Sequence, residues 1–305
     1  MSDTATTPEG AVSYYGKPII KGPVWKPEIP LYFFTGGLSG AAAVLALGAR
    51  LTGNEVLARR ATLVNAAAIT VSPVLLIKDL GRPALFLNML RVFKVTSPMS
   101  VGTWIVSGSG TASGAAAACE VFGVLPRGKL AAQSLAGALG PFLSTYTGAL
   151  VADTVVPVWH EARRTLPLVF AAGSAASAGG AVAALTPQPF AEPARRLAIV
   201  GGIAELATVT AMEKGVGELV GEAFEKGKAH EFGRLAKAAT LAGTIVTALA
   251  GRRRAGAVVG GGLLMAGALC ERFAVYHAGK ISAADPTYTS LPQKRRLASA
   301  EQQGQ

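Results

Sequence analysis

The chain has 305 residues, half of them hydrophobic and only 15% charged, with 37 glycines, a formal net charge of +11 and a mean hydropathy of +0.41. A soluble domain carries about 25% charged residues, so the composition argues against a soluble fold. The basic excess is divided among many short connections and makes no nucleic-acid patch, and the two cysteines, Cys119 and Cys270, cannot form a CxxC metal or cluster site.

Residues 1–28 read as a polar N-terminal segment. The first apolar window begins near Ile29, too late and too long for the h-region of a signal peptide. Five windows then lack any Asp, Glu, Lys or Arg: Ile29–Ala49, Ala61–Ile77, Val95–Cys119, Leu130–Ala152 and Thr165–Ala191. Three shorter ones follow, Leu197–Met212 (broken only by Glu205), Ala238–Gly251 and Ala255–Cys270. A hydrocarbon core takes about 20 apolar residues per helix. The windows also lack the polar face that a surface helix of a soluble bundle requires. The sequence therefore predicts an all-α integral membrane protein of about eight transmembrane helices in a bundle, spanning residues 29–280, with a C-terminal tail over 281–305.

Eight spans put both termini on one side, here called the N-side. The N-side holds the long connections, including a charged, Gly- and Pro-punctuated loop over Lys78–Lys94 and another over Glu213–Lys237. The opposite side has only short turns. The N-side carries about twice as many Lys and Arg, so the positive-inside rule leans toward cytoplasmic termini. The pairs Gly36–Gly40, Gly110–Gly114 and Gly256–Gly260 have the small-xxx-small spacing of close helix contacts. No internal repeat is evident.

Ionisable residues at membrane depth are functional candidates. Glu205 lies in the middle of the sixth window, and Glu271 and Arg272 end the eighth. Asp153 lies toward the end of the fourth, seven residues after Tyr146 and seven before His160. That stripe is suited to hydrogen bonding a quinone and passing protons to it, unless Pro157 breaks the register. Asp153 is equally suited to pairing with Arg82 or Arg272. Glu205 and Glu271 fit proton transfer, and Glu205 fits equally a protonated carboxyl bonded to a neighbouring helix. Glu28 and Tyr32 are four apart and share a face at the start of the first helix. Trp25 and Tyr32 suit an interfacial aromatic belt.

The segments PEIPLYFFTGGLSGAA, DLGRPALFLNML, TSPMSVGTW and YTGALVADTVVPVW together resemble the NrfD-like family, the membrane subunits of polysulfide reductase type, over about residues 25 to 280. The resemblance implies a quinone-reactive subunit of a bacterial plasma-membrane oxidoreductase. Its expected partners are a ferredoxin-like iron–sulfur subunit and a molybdopterin catalytic subunit of formate dehydrogenase or polysulfide reductase type. It implies a menaquinone or ubiquinone site at Glu28, Tyr32, Asp79, Arg82 and Tyr146, with no metal, haem or cluster on this chain. Some members carry Asn or His where Glu28 stands. A passive anchor and a proton or ion channel or transporter are the competing readings.

Overall fold

The computed structural model describes residues 18–80 and 83–291. Eight long helices dominate: α1 (Glu28–Leu51), α2 (Glu55–Asp79), α3 (Pro98–Phe122), α4 (Pro126–Ala152), α5 (Leu166–Leu185), α6 (Glu192–Gly215), α7 (Gly227–Ala250) and α8 (Arg254–Ala284). At about 1.5 Å per residue each reaches roughly the 30 Å of a hydrocarbon core. Five of them, α1, α2, α4, α5 and α8, are long and apolar enough to cross a membrane. Ser, Thr and Gly dilute the apolar character of α3, and charged ends dilute that of α6 and α7. The chain is an all-α, multi-pass membrane protein.

Most of the helices run past the uncharged windows, because a helix continues through charged residues once these reach the bilayer edge, whereas α5 stops at Leu185 inside its window. For α2 the start is set by Asn54, whose side chain accepts from the Leu57 amide, and for α3 by Ser97 with Pro98 behind it. The largest extension corrects the sequence reading. α8 runs on to Ala284, so Glu271 and Arg272 sit inside it and do not end it. Likewise α7 begins at Gly227, which shortens the expected Glu213–Lys237 loop to the connection after Gly215.

The helices form two four-helix units with one neighbour pattern. In the first, α1 packs on α2 and α4, and α3 packs on α2 and α4; in the second, α5 packs on α6 and α8, and α7 packs on α6 and α8. The units meet where α1 and α4 touch α5. This is the repeat the sequence does not display: close packing needs only small residues, and many small-residue patterns satisfy it equally. Each unit closes by a glycine contact between its first and last helices. A Cβ at Gly40 would lie 2.5 Å from the Gly140 carbonyl oxygen, and one at Gly180 would lie 2.9 Å from the Gly261 Cα. Gly114, by contrast, faces open space. Gly140→Val is therefore expected to destabilise the fold by about 1–3 kcal/mol through overpacking. Gly114→Ala should be neutral, and thermal unfolding in detergent distinguishes the two.

Buried polar pairs hold the first unit in register. Ser39 donates to Asn65 Oδ1 (2.6 Å), Asn65 Nδ2 donates to Ser113 (2.9 Å), and Gln133 Nε2 donates to Thr62 (2.7 Å). In lipid such interhelical bonds add cohesion where the hydrophobic effect between helices is absent.

Candidate functional site

The site forms at one end of the first unit, where α1 begins and α2 ends. Asp79 terminates α2 and accepts a hydrogen bond from the Lys26 amide (2.9 Å), which holds the segment leading into α1. Beside it Lys78 pairs with Glu28 (2.9 Å). Trp25 is drawn inward: it stacks on Trp159 at 5.3 Å and meets Phe33 edge-on. Its carbonyl accepts from Tyr276 Oη (2.5 Å), and Trp159 Nε1 donates to the Val275 carbonyl (2.8 Å). Trp25 is thus packed on the protein core rather than sitting in an interfacial belt. Trp159 comes from a short helix, Pro157–Glu161, that starts where α4 stops. Only the fold reveals the buttressing roles of Trp159 and Tyr276.

Behind Trp25 lies a narrow, largely apolar cavity of about 80 Å³. Tyr32 and Phe33 of α1, Asp79 of α2, Thr103 of α3 and Tyr146 of α4 face it, so every helix of the unit contributes. Met89 and Met99 close its loop side. The Tyr32 side chain is only 1% exposed, and its hydroxyl has no hydrogen-bond partner among the described residues. An unpaired buried hydroxyl costs about 1–3 kcal/mol. Tyr146 packs its ring against Gly102, where any Cβ would collide with it. The Thr103 hydroxyl is committed to the Met99 carbonyl (2.9 Å). Among the described residues, Trp25, Tyr32, Asp79 and Tyr146 are the other lining residues that carry polar side-chain atoms.

Of the five positions expected at a quinone, the fold brings Tyr32, Asp79 and Tyr146 to one cavity. Glu28 does not line it and is engaged with Lys78. Arg82 lies outside the described residues. Phe33, Met89, Met99 and Thr103 were not singled out from the sequence, and Trp25 was read there only as a belt residue, since apolar residues at a ligand and in a core look alike. The Lys78–Lys94 loop also differs from its expected polar surface. Leu87, Val92 and Phe93 are 69%, 64% and 60% exposed, with Phe93 edge-on to Trp104. Such an apolar surface suits the bilayer interface beside the cavity.

The membrane-depth carboxylates go elsewhere. Asp153 lies exposed at the C-cap of α4, and the chain turns before Pro157, so the Tyr146–Asp153–His160 stripe is broken. Asp153 does not pair with Arg272, which is buried in the second unit. There Arg272 Nη2 donates to the Phe170 carbonyl (2.7 Å), and its guanidinium lies 4.0 Å over the Phe170 ring. Glu205 accepts from Thr240 (3.2 Å) through one carboxylate oxygen, and the other has no partner. Arg272 Nε and Nη1 are also unpartnered. Gly173 keeps the space between the two charges open: a Cβ there would strike the Glu205 carboxylate and crowd Arg272 Nη2. Glu271 is buried next to Arg272 on α8. Beyond this cluster a polar cavity of about 550 Å³ sits at the end of α6 and the start of α7, with the ion pair Lys237–Glu213 (2.6 Å) in its wall. Among the described residues no group of three His, Cys, Asp or Glu is placed to hold a metal ion.

Residues 19–112 match the family model described as Polysulphide reductase, NrfD. The match supports the resemblance read from the sequence. It covers α1, α2 and the first part of α3, which carry Tyr32 and Asp79 but not Tyr146 or the buried charges of the second unit. No curated protein matches the chain.

Proposed function

We propose, from that family match together with the cavity, that this chain is the quinone-reactive membrane subunit of a bacterial plasma-membrane oxidoreductase. It exchanges electrons between the quinone pool and an iron–sulfur partner subunit. A molybdopterin subunit, of formate dehydrogenase or polysulfide reductase type, carries the substrate chemistry. The observation that carries this reading is the buried, unpartnered Tyr32 hydroxyl sharing one cavity with Asp79 and Tyr146.

The residues fit a quinone headgroup: flat apolar walls for the ring, and one free donor for a carbonyl oxygen. Quinone reduction takes two electrons and two protons. The electrons come from the partner, so this chain's part is to bind, orient and handle protons. Tyr32 donates a hydrogen bond to one carbonyl oxygen. Asp79, at the polar end of the cavity, is the carboxylate suited to deliver or accept a proton there. The cavity is smaller than the ~300–1,000 Å³ of common ligand sites, and the flexible side chains of Met89 and Met99 are the part suited to yield. On this reading the end of the bundle at Asp79 faces the iron–sulfur partner. The Lys and Arg bias leans toward placing that end in the cytoplasm.

Asp79→Asn and Tyr146→Phe in the assembled complex are expected to lower quinone-linked turnover at least about tenfold while the partner's soluble-acceptor activity survives. Unchanged quinone kinetics in both variants sinks the site. Intact transfer to quinone by the soluble subunits alone would reduce the chain to a passive anchor.

A second role, proton transfer through the second unit, is favoured by the buried Glu205–Arg272–Glu271 cluster with its unsatisfied atoms. Buried polar atoms of this kind are places for bound water. Glu205→Gln is expected to abolish any proton uptake coupled to turnover in proteoliposomes without slowing electron transfer. Equal proton uptake in the variant removes this role.

A further inference from the structure

A groove of about 430 Å³ runs along the outer face of the bundle at the seam between the two units. Leu38 of α1, Leu63, Ala67 and Val71 of α2, and Leu185 of α5 line it. On α2 the lining residues recur at Arg60, Leu63, Val64, Ala67, Ala68 and Val71, one continuous helical stripe. From Arg60 to Val71 the stripe is about 16 Å long, about half of a ~30 Å hydrocarbon core and so one leaflet deep. The groove lining is apolar except for Thr35 at the inner end and Arg60 at the outer end. There Arg60 sits within the first two turns of α2, at the depth of lipid headgroups, on the side of the bundle opposite the Tyr32 cavity.

Arg60 is exposed and has no ion pair among the described residues. Arg59, Arg127, Arg252, Arg253 and Arg254 at this end are likewise without an ion pair among the described residues, but of these cations Arg60 is the one that lines the groove. Arg50 pairs with Glu55 and Glu120, and Arg195 and Arg196 pair with Glu192. A one-leaflet apolar channel with an uncompensated guanidinium at headgroup level matches one kind of occupant. We propose that a single anionic glycerophospholipid seats here, with an acyl chain along the α2 stripe and its phosphate on Arg60. A guanidinium binds phosphate with two parallel hydrogen bonds. Because the groove lies on the seam, the lipid would also bridge the first and second units.

Native mass spectrometry of the full chain, delipidated in detergent and titrated with phosphatidylglycerol or with phosphatidylcholine of the same acyl chains, tests the site. Wild type is expected to take up one phosphatidylglycerol in preference to phosphatidylcholine. Arg60→Gln should weaken phosphatidylglycerol binding about fivefold, the effect of one interfacial cation, and Arg60→Lys should restore part of it. Ala67 is exposed, so Ala67→Trp fills the groove without disturbing the core and should displace both lipids. Arg59, one residue earlier and about 100° around the helix, is the control. Equal losses in Arg59→Gln and Arg60→Gln would reduce the effect to general surface charge and overturn the site. So would equal uptake of the two lipids by wild type, or unchanged binding in Ala67→Trp.

Discussion

Tyr32→Phe is expected to cut quinone-linked turnover by about tenfold or more while leaving the protein as stable as wild type, or slightly more so. The two halves of this result have one cause. The Tyr32 hydroxyl is buried beside the cavity without a partner, so in the ligand-free protein it is a desolvated donor whose removal costs no hydrogen bond. With a carbonyl oxygen against it, the same hydroxyl contributes about 1–3 kcal/mol, which corresponds to about 5- to 150-fold in binding or rate. A purely structural tyrosine would behave otherwise: its loss would lower stability and leave quinone kinetics alone. Quinol-linked turnover, soluble-acceptor activity and the thermal midpoint, measured on one preparation, separate the cases. Wild-type quinone turnover in Tyr32→Phe would remove this residue from the site.

The largest stability effect is expected at Arg272. Arg272→Met leaves Glu205 and Glu271 buried in the second unit without the cation that lies near them, and stranding an uncompensated buried charge costs about 3–5 kcal/mol. The cation–π contact with Phe170 and the bond to its carbonyl are lost with it. Adding Glu205→Gln should recover part of that loss, because removing both charges is far less costly than stranding one. The double-mutant cycle measures the coupling. Additive losses would show that the two groups do not interact and that the charges are held apart for another reason. The cycle also bears on proton transfer, since a tightly coupled pair fixes which carboxylate can exchange its proton.

Much of the architecture was legible in the sequence. Long stretches without charge identify membrane helices because lipid tolerates no unpaired backbone and few ions. The eight expected segments correspond to eight long helices. Their ends were less legible: α8 was read as stopping at Glu271, since a charge looks like a boundary until a buried partner for it is known. The two-unit arrangement was not visible at all. Gly40 against Gly140 and Gly180 against Gly261 are corresponding contacts in space, and the short Gly/Ala runs around them are too common in this chain to mark a repeat.

The site was partly legible for a similar reason. Tyr32 and Asp79 sit in segments whose sequence resembles a known family, and a family model matches that part of the chain. Glu28 and Asp153 carry equally suggestive chemistry, yet one is engaged by Lys78 and the other caps α4 in the open. By itself, the sequence determined that this chain lives in a bilayer, which of its segments are long and apolar enough to do so, and which side chains bear usable chemistry. Those properties are local: hydropathy, charge and spacing are summed along the chain. Only the tertiary structure decided that Tyr32, Asp79 and Tyr146 share one cavity while Glu205 and Arg272 share another unit. Helices of nearly uniform small-residue packing can meet in many registers, and the close contacts at a few glycines select one.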